Sequence, residues 1–156
     1  MSTKSKPRRS WQEKLADSKG LPRVEEITDK MSKRWGTGTV VIPAPKEVDG
    51  IMKKVPLGKL ITIDQIRNIL ARKHGATHGC PLTTGIFASI AAHAAEGKKD
   101  ITPYWRTLKA GGVINEKYPG GVEPQKRLLE REGHRVVQKG KKYVVVDFER
   151  SLISLS

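Results

Sequence analysis

The chain has 156 residues, which is enough for one domain with a hydrophobic core and too few for two large domains. Lysine and arginine total 30 residues against 16 aspartates and glutamates, so the net charge is +14. This charge favours a polyanionic partner, because lysine and arginine neutralise phosphates and release their counterions. Nucleic acid is therefore the leading partner class.

The cysteine content and the hydropathy exclude several other classes. Cys80 is the single cysteine, so an internal disulfide and a zinc site of four thiolates are both impossible. No stretch approaches the roughly 18 apolar residues of a membrane span, and no apolar segment follows the basic N-terminus. We expect a cytoplasmic, nucleoid-associated protein that is neither exported nor membrane-embedded and that holds no cofactor.

The N-terminal part predicts an arm, a helix and a strand. Residues 1–20 are polar and basic and contain few branched apolar residues, which predicts a flexible basic arm. Such an arm either adds phosphate contacts or is an incidental terminus. Within the next segment, 21–43, apolar residues recur at three- and four-residue spacing from 24 to 35, which predicts a helix. Residues 39–42 predict a short strand.

Three successive helices are predicted after that strand. The first covers 45–55 and follows a proline. The second is capped by Thr62 and ends at Gly75, and the third covers about 81–97. The short connection through 78–79 suits a helix-turn-helix.

The second half of the chain predicts one more helix and a hairpin. The helix covers 122–132 and ends at Gly133, and two β runs at 135–137 and 143–146 flank the basic glycine turn at 139–141. The fold class is therefore mainly α with a small β component.

Four short motifs occur in the order and spacing of one known family. They are Val55-Pro56-Leu57-Gly58-Lys59-Leu60-Ile61-Thr62, Pro103-Tyr104-Trp105-Arg106, Tyr118-Pro119-Gly120-Gly121 and Leu128-Leu129-Glu130-Arg131-Glu132-Gly133. Over residues 45–137 the chain resembles the C-terminal DNA-binding domain of alkylguanine-DNA alkyltransferases, the methylated-DNA–protein-cysteine methyltransferases. The resemblance implies a winged helix-turn-helix-like domain, which we place at 44–150, with the hairpin at its C-terminal end.

The resemblance also implies that the transfer chemistry is lost. Tyr104 and Trp105 stand where the family has its acceptor cysteine and the activating histidine, while Glu132 matches the family's glutamate. A phenol with a pKa near about 10 is a poor acceptor compared with a thiolate, and an indole relays no proton. Cys80 lacks the motif around it. The chain is therefore expected not to be an enzyme and to resemble the non-enzymatic alkyltransferase-like branch, which binds alkylated guanine and flags it for repair.

The resemblance implies two groups of site residues. The first would form the base pocket, with Tyr104 as an aromatic wall, and consists of Tyr104, Trp105, Arg106, Tyr118, Gly120 and Gly121. The second would lie on the DNA-binding helix and the wing and consists of Leu82, Thr83, Thr84, Ser89 and Lys109, with Arg106 and Lys109 reaching phosphates. The family's tyrosine after the helix cap is Ile63 here, and its base-replacing arginine is Leu82 or Thr83.

Several alternatives stay open. Tyr104 and Trp105 could instead fill a vacated core, and the protein could be a winged-helix transcription or nucleoid-associated factor without lesion specificity. A third interpretation is an enzyme, either a residual transferase or one that catalyses a different reaction with Tyr104. His74 and His78 lie four residues apart, but Gly75 and Gly79 interrupt a helix there, so we expect no metal site. The partners expected are double-stranded DNA, alkylated or not, and a protein of a repair pathway.

Overall fold

A computed structural model describes residues 10–18, 20–28, 36–95 and 101–154. In these ranges the chain is a mixed α/β structure of five α-helices and short strands. None of the described helices has the length and apolar character that a membrane crossing requires. The elements are α1 (Trp11–Ala16), β1 (Arg23–Glu26), β2 (Thr39–Ile42), α2 (Pro45–Lys53), β3 (Ile61–Thr62), α3 (Ile63–His74), β4 (His78–Gly79), α4 (Pro81–Ala95), β5 (Thr107–Leu108), α5 (Val122–Arg131), β6 (Val136–Lys139) and β7 (Lys142–Val145).

The four helices predicted after the strand at 39–42 are confirmed as α2 to α5, and the ends of α3 show how neighbouring residues fix them. At the start of α3 the Thr62 hydroxyl accepts from the Gln65 amide at 3.2 Å, and the Gln65 side chain accepts from the Thr62 amide at 3.1 Å. Gly75 ends α3 in the left-handed region, with φ 64°. The hairpin is confirmed as well, since Val136 pairs with Val145 and Lys139 with Lys142.

The helix predicted for 24–35 is wrong where the structure describes it. Residues 23–26 form β1, which pairs antiparallel with β2 from Arg23 opposite Ile42 to Glu26 opposite Thr39. Strand β2 is buried, so the backbone N–H and C=O groups along both of its edges need hydrogen-bond partners. Pairing with residues 23–26 supplies them on one edge, and this outweighs the helical spacing of the apolar residues in that segment. Residues 29–35 of that prediction lie outside the described ranges.

The flexible arm predicted for 1–20 is also wrong in its second half. Residues 11–16 form α1, capped by Ser10. The Trp11 ring stacks on His93 with centroids 4.3 Å apart, and Gln12 donates to the Ala94 carbonyl at 3.0 Å. Leu15 packs against the core. Residues 1–9 lie outside the described ranges.

Helix α4 lies at the centre of the main core. Its alanines allow close approach of α2 and α1, and the buried cluster around them includes Val48, Met52, Ile66 and Leu70. A three-stranded sheet in the order β1-β2-β4 covers one side. A second buried cluster lies under the hairpin, where α5 and the β3–β5 pair meet it.

Substitution of Gly79 tests how tightly β4 is packed, and substitution of Gly50 in α2 is the control. A Cβ at Gly79 would lie 2.6 Å from the Arg67 carbonyl oxygen in α3, whereas a Cβ at Gly50, inside α2, would meet no atom within 4 Å. Gly79→Ala should therefore lower the unfolding free energy by about 1–3 kcal/mol, the usual cost of overpacking. Gly50→Ala should raise it by roughly 0.5–1 kcal/mol through helix propensity. Urea unfolding measures both, and equal effects would contradict the packing described for β4.

Candidate nucleic-acid interface

The Pro103-Tyr104-Trp105-Arg106 segment is a 3₁₀ turn held by one carboxylate, that of Glu132. Arg106 donates to Glu132 through Nη2 at 2.8 Å and through Nε at 2.9 Å. Trp105 donates its indole N–H to the same carboxylate at 2.7 Å, and the Gly58 amide donates at 3.3 Å. The turn before β3, the motif segment and the end of α5 are thus bound to a single group.

This ion pair is largely removed from water. The Arg106 and Glu132 side chains are 12% and 8% exposed. Burial alone would raise the pKa of Glu132, but the hydrogen bonds from Arg106, Trp105 and Gly58 and the charge of Arg106 outweigh it and lower that pKa. Glu132 therefore stays ionised. Beside the pair, burial lowers the pKa of His134; the charge of Glu132 opposes this shift, and the charge of Arg106 adds to it.

Arg106 was predicted to reach phosphates, and the structure gives it partners inside the protein. Each guanidinium nitrogen donates a hydrogen bond within the protein, because Nη1 donates to the Val55 carbonyl at 2.8 Å and the other two donate to Glu132. Releasing Arg106 to DNA would leave a buried carboxylate unpaired, which is costly. Arg106 is a structural residue in this conformation.

Tyr104 and Tyr118 pack in the core rather than along an open pocket. Tyr104 is 6% exposed and Tyr118 is 2% exposed. Their rings meet edge to face at 5.6 Å, and the Trp105 ring meets Tyr104 in the same way at 5.5 Å. Burial raises the pKa of Tyr118 well above its usual range, although Asn115 partly offsets it. The sequence predicted that both tyrosines form the wall of a base pocket. In this structure the two rings are buried against each other and face no open pocket.

Gly120 and Gly121 form the tight turn that starts α5. Both have positive φ, 77° and 78°, which favours glycine. A Cβ at Gly120 would lie 2.6 Å from the Pro124 side chain. These glycines shape the chain next to Tyr118 and do not line the cavity described next.

A cavity of about 520 Å³ opens between the first turns of α3 and α4, the 109–117 loop and α1. Most of its lining is apolar and consists of Trp11, Ile63, Pro81, Leu82, Ile86, Ile90 and Ala110, with Gly85 between them. Its polar lining consists of Asp64, Ser89, Lys109, Asn115 and Lys117. A concave, largely apolar site with a few polar groups at its edge is typical of a ligand pocket.

The residues that were predicted for a DNA-binding helix lie on α4 and fall into two groups. Leu82 and Ser89 line the cavity, as does Lys109 of the predicted wing. Thr84 is fully buried and donates to the Cys80 carbonyl at 2.6 Å, so the prediction that it contacts DNA is wrong. Thr83 is half-buried, and its hydroxyl has no hydrogen-bond partner among the described residues. The spacing of a helix explains the difference, since 84 points inward with Ala88 and Ala91.

Sequence reasoning missed three cavity residues in particular, Trp11, Ile86 and Lys117. Ile86 could have been found, because it lies one turn after Leu82 on the same face of a predicted helix. Trp11 could not, because only the docking of α1 on α4 brings it to the cavity. His74, weighed above for a metal site, pairs with Glu47 at 2.7 Å, and no group of potential metal ligands comes together in the described part of the chain.

Comparisons with known proteins place the fold. No family model and no curated protein sequence matches the chain. Solved structures of alkyltransferase-like proteins do match it. They include the crystal structure of S. pombe Atl1 in complex with damaged DNA containing O6-carboxymethylguanine and that of S. pombe ATL in complex with DNA. Each has a TM-score of 0.54 and 20% identity and covers 71% of this chain and 94% of its own. The predicted alkyltransferase-like resemblance is thus confirmed for the fold.

The ion pair between Arg106 and Glu132 should contribute to the stability of the folded protein in a way that depends on pH. Glu132→Gln removes the charge that Arg106 needs, so the unfolding free energy should fall by about 3 kcal/mol at pH 7. Because the folded-state pKa of Glu132 lies below the unfolded value, its stabilisation is present above the unfolded pKa and is lost as the pH falls through the folded one. The variant should lack this acid-side loss.

The matched control is Glu130→Gln, which removes an exposed carboxylate from the same helix. Chemical unfolding at a series of pH values compares the two variants. If they behaved alike, the ion pair would not hold the motif segment in place.

Proposed function

We propose that the protein is a non-catalytic DNA-binding protein of the alkyltransferase-like type, which binds a duplex and holds an alkylated guanine in the cavity beside α4. The observation that carries the proposal is this apolar cavity, with Lys109 and Lys117 at its edge, on a strongly basic chain. The fold shared with Atl1, which is bound to damaged DNA, supports it.

The absence of transfer follows from the groups at the motif. We assign Tyr104 and Trp105 to the positions of the acceptor cysteine and its histidine. The Tyr104 phenol is buried, and a phenol is a weak nucleophile near neutral pH. Cys80 is buried at the start of α4 and does not line the cavity. A base bound there meets no nucleophile from either residue.

The docking on DNA that we propose uses α3 and α4 as a helix-turn-helix and the 109–117 loop as the wing. The connection between the helices is short and contains β4, which pairs with β2 and packs against α3. The first ten residues of α4 carry no charge. In the proposed docking, α4 therefore faces the groove and the flanking lysines make the phosphate contacts. A cytoplasmic, nucleoid-associated location and a partner protein of a repair pathway complete the proposal.

A second candidate function is that of a transcription or nucleoid-associated factor without lesion specificity. The burial of Tyr104 and Tyr118 favours it, since neither ring is placed to stack on an extruded base. It predicts the same dependence on phosphates but no difference between damaged and undamaged DNA. The two functions therefore separate in one titration.

That titration compares two duplexes that differ only by one O6-alkylated guanine, at fixed salt. We expect the alkylated duplex to bind roughly five- to 150-fold tighter, because contacts to one extruded base are worth about 1–3 kcal/mol. Fluorescence anisotropy gives both dissociation constants. Equal constants would favour the second candidate.

The control is a duplex with an isotope-labelled alkyl group. After prolonged incubation the protein should carry no label. Stoichiometric label on Tyr104 or Cys80 would contradict the non-catalytic assignment.

The salt dependence of binding tests the lysines at the cavity edge. The double variant Lys109→Gln/Lys117→Gln should reduce the slope of log affinity against log salt by about 1.8, since each phosphate contact contributes about 0.9. The control variant, Lys46→Gln/Lys54→Gln, changes the net charge equally at exposed positions of α2 and its end. If both double variants lowered the slope equally, the lysines would act only through the overall charge.

A further inference from the structure

The hairpin tip, residues 139–142 at the end of β6 and the start of β7, carries a concentrated positive charge. Lys139, Lys141 and Lys142 are all exposed. No acidic residue occurs anywhere in the segment 133–146. In the ranges that the structure describes, none of the three lysines forms an ion pair. The charge of the tip is therefore available to an anion from outside the protein.

The pairing of the hairpin sets two of these lysines against each other. Lys139 lies directly opposite Lys142, and Gly140 between them has the positive φ, 64°, that the first position of a two-residue hairpin turn uses. Directly opposite residues have Cβ atoms roughly 4.5–5.5 Å apart on the same face, and like charges there destabilise the pairing. A local arrangement that lowers stability without a compensating contact is typical of a functional site.

The hairpin is joined to the 109–117 loop, which we propose as the wing. Val113 pairs antiparallel with Val144, and the Ile114 amide donates to the Tyr143 carbonyl at 2.8 Å. The tip begins only a few residues beyond this junction, so it projects about 10 Å past the loop at the rise of a β-strand. The loop and the hairpin therefore move as one unit relative to a bound duplex.

The same loop places the tip near the proposed DNA site. Lys109 and Ala110 line the cavity beside α4, while Gly111 and Lys139 border a second recess of about 330 Å³ under the hairpin. The turn at 109–111 thus separates the cavity from the hairpin. A duplex that lies on α4 and contacts Lys109 has its next phosphates on the side of the hairpin.

We infer that the hairpin tip is a second duplex-binding site, at which Lys139, Lys141 and Lys142 bind backbone phosphates beyond the part of the duplex that α4 covers. A reach of about 10 Å corresponds to about three base-pair steps, so the tip lengthens the footprint on one flank only. Phosphate contacts of this kind position a protein on DNA without reading sequence. The inference rests on the proposed function, because it assumes that α4 faces DNA.

The experiment uses the full chain and a long duplex, with binding measured by fluorescence anisotropy over a range of salt concentrations. Lys141→Gln/Lys142→Gln should reduce the slope of log affinity against log salt by about 1.8, because two phosphate contacts are lost. The matched control, Lys46→Gln/Lys54→Gln, removes two exposed charges from α2 and its end and should leave most of the slope.

Shortened duplexes locate the contact. One O6-alkylguanine fixes the register, and each flank is shortened in turn by about three base pairs at a time. Shortening the flank under the tip should weaken binding of the wild-type protein more than shortening the other flank. On the duplex that lacks this flank, the tip variant should bind as tightly as the wild-type protein.

Charge reversal separates binding from folding. Lys142→Glu places an opposite charge against Lys139, so the urea midpoint of the free protein should rise while duplex binding weakens. Lys141→Glu makes the same change of charge within the turn, and it should weaken binding with a smaller rise of the midpoint. Lysines that only supported the hairpin would not change stability and affinity in opposite directions.

The outcomes distinguish the tip from the proposed function. If the tip variant and its control changed the salt slope equally, or if the tip variant kept the wild-type slope, the tip would not be a duplex-binding site and DNA binding at α4 would stand. If the variant kept that slope but lost affinity for a polyglutamate peptide, the tip would bind an acidic protein instead. If wild-type protein bound no duplex, the proposed function would fail and the tip site with it.

Discussion

The buried ion pair between Arg106 and Glu132 is the constraint on which the rest of the structure depends. It joins three parts of the chain that are far apart in sequence: the turn before β3, the motif segment at 103–106 and the end of α5. Because the pair is nearly removed from water, separating its members would leave a buried charge without compensation. The position of the 109–117 loop, and with it one side of the cavity, follows from how this segment is held.

The same constraint explains how the fold can persist while the site changes. We propose above that Trp105 takes the position of the family's histidine; its indole N–H donates to Glu132 and so supports the segment. Tyr104 is buried beside Trp105 and packs against Tyr118. The side chains of the motif thus contribute to the core, and the open apolar surface is the cavity lined by Ile63, Leu82 and Trp11.

Features that depend on a few neighbouring residues could be predicted from the sequence, and features that depend on distant partners could not. Thr62 and Gly75 fix the ends of α3 through bonds to residues within one turn. The strand at 23–26 was predicted as a helix because its conformation is set by β2, and the contact between Trp11 and His93 spans about half of the chain. Arg106 was expected at phosphates because the sequence does not show that Glu132 and the Val55 carbonyl occupy its donors. Motif order predicted the fold, but the exposed side of α4 had to be seen to locate the cavity.

The most direct test is to find which residues of the protein respond to a lesion in the bound duplex. Methyl and amide chemical shifts of the full chain can be compared between its complexes with an O6-alkylguanine duplex and with the matched unmodified duplex. We expect the lesion-dependent changes to centre on Ile63, Leu82, Ile86 and Lys117, around the cavity. Changes centred on Tyr104 and Tyr118, or none that depend on the lesion, would contradict it.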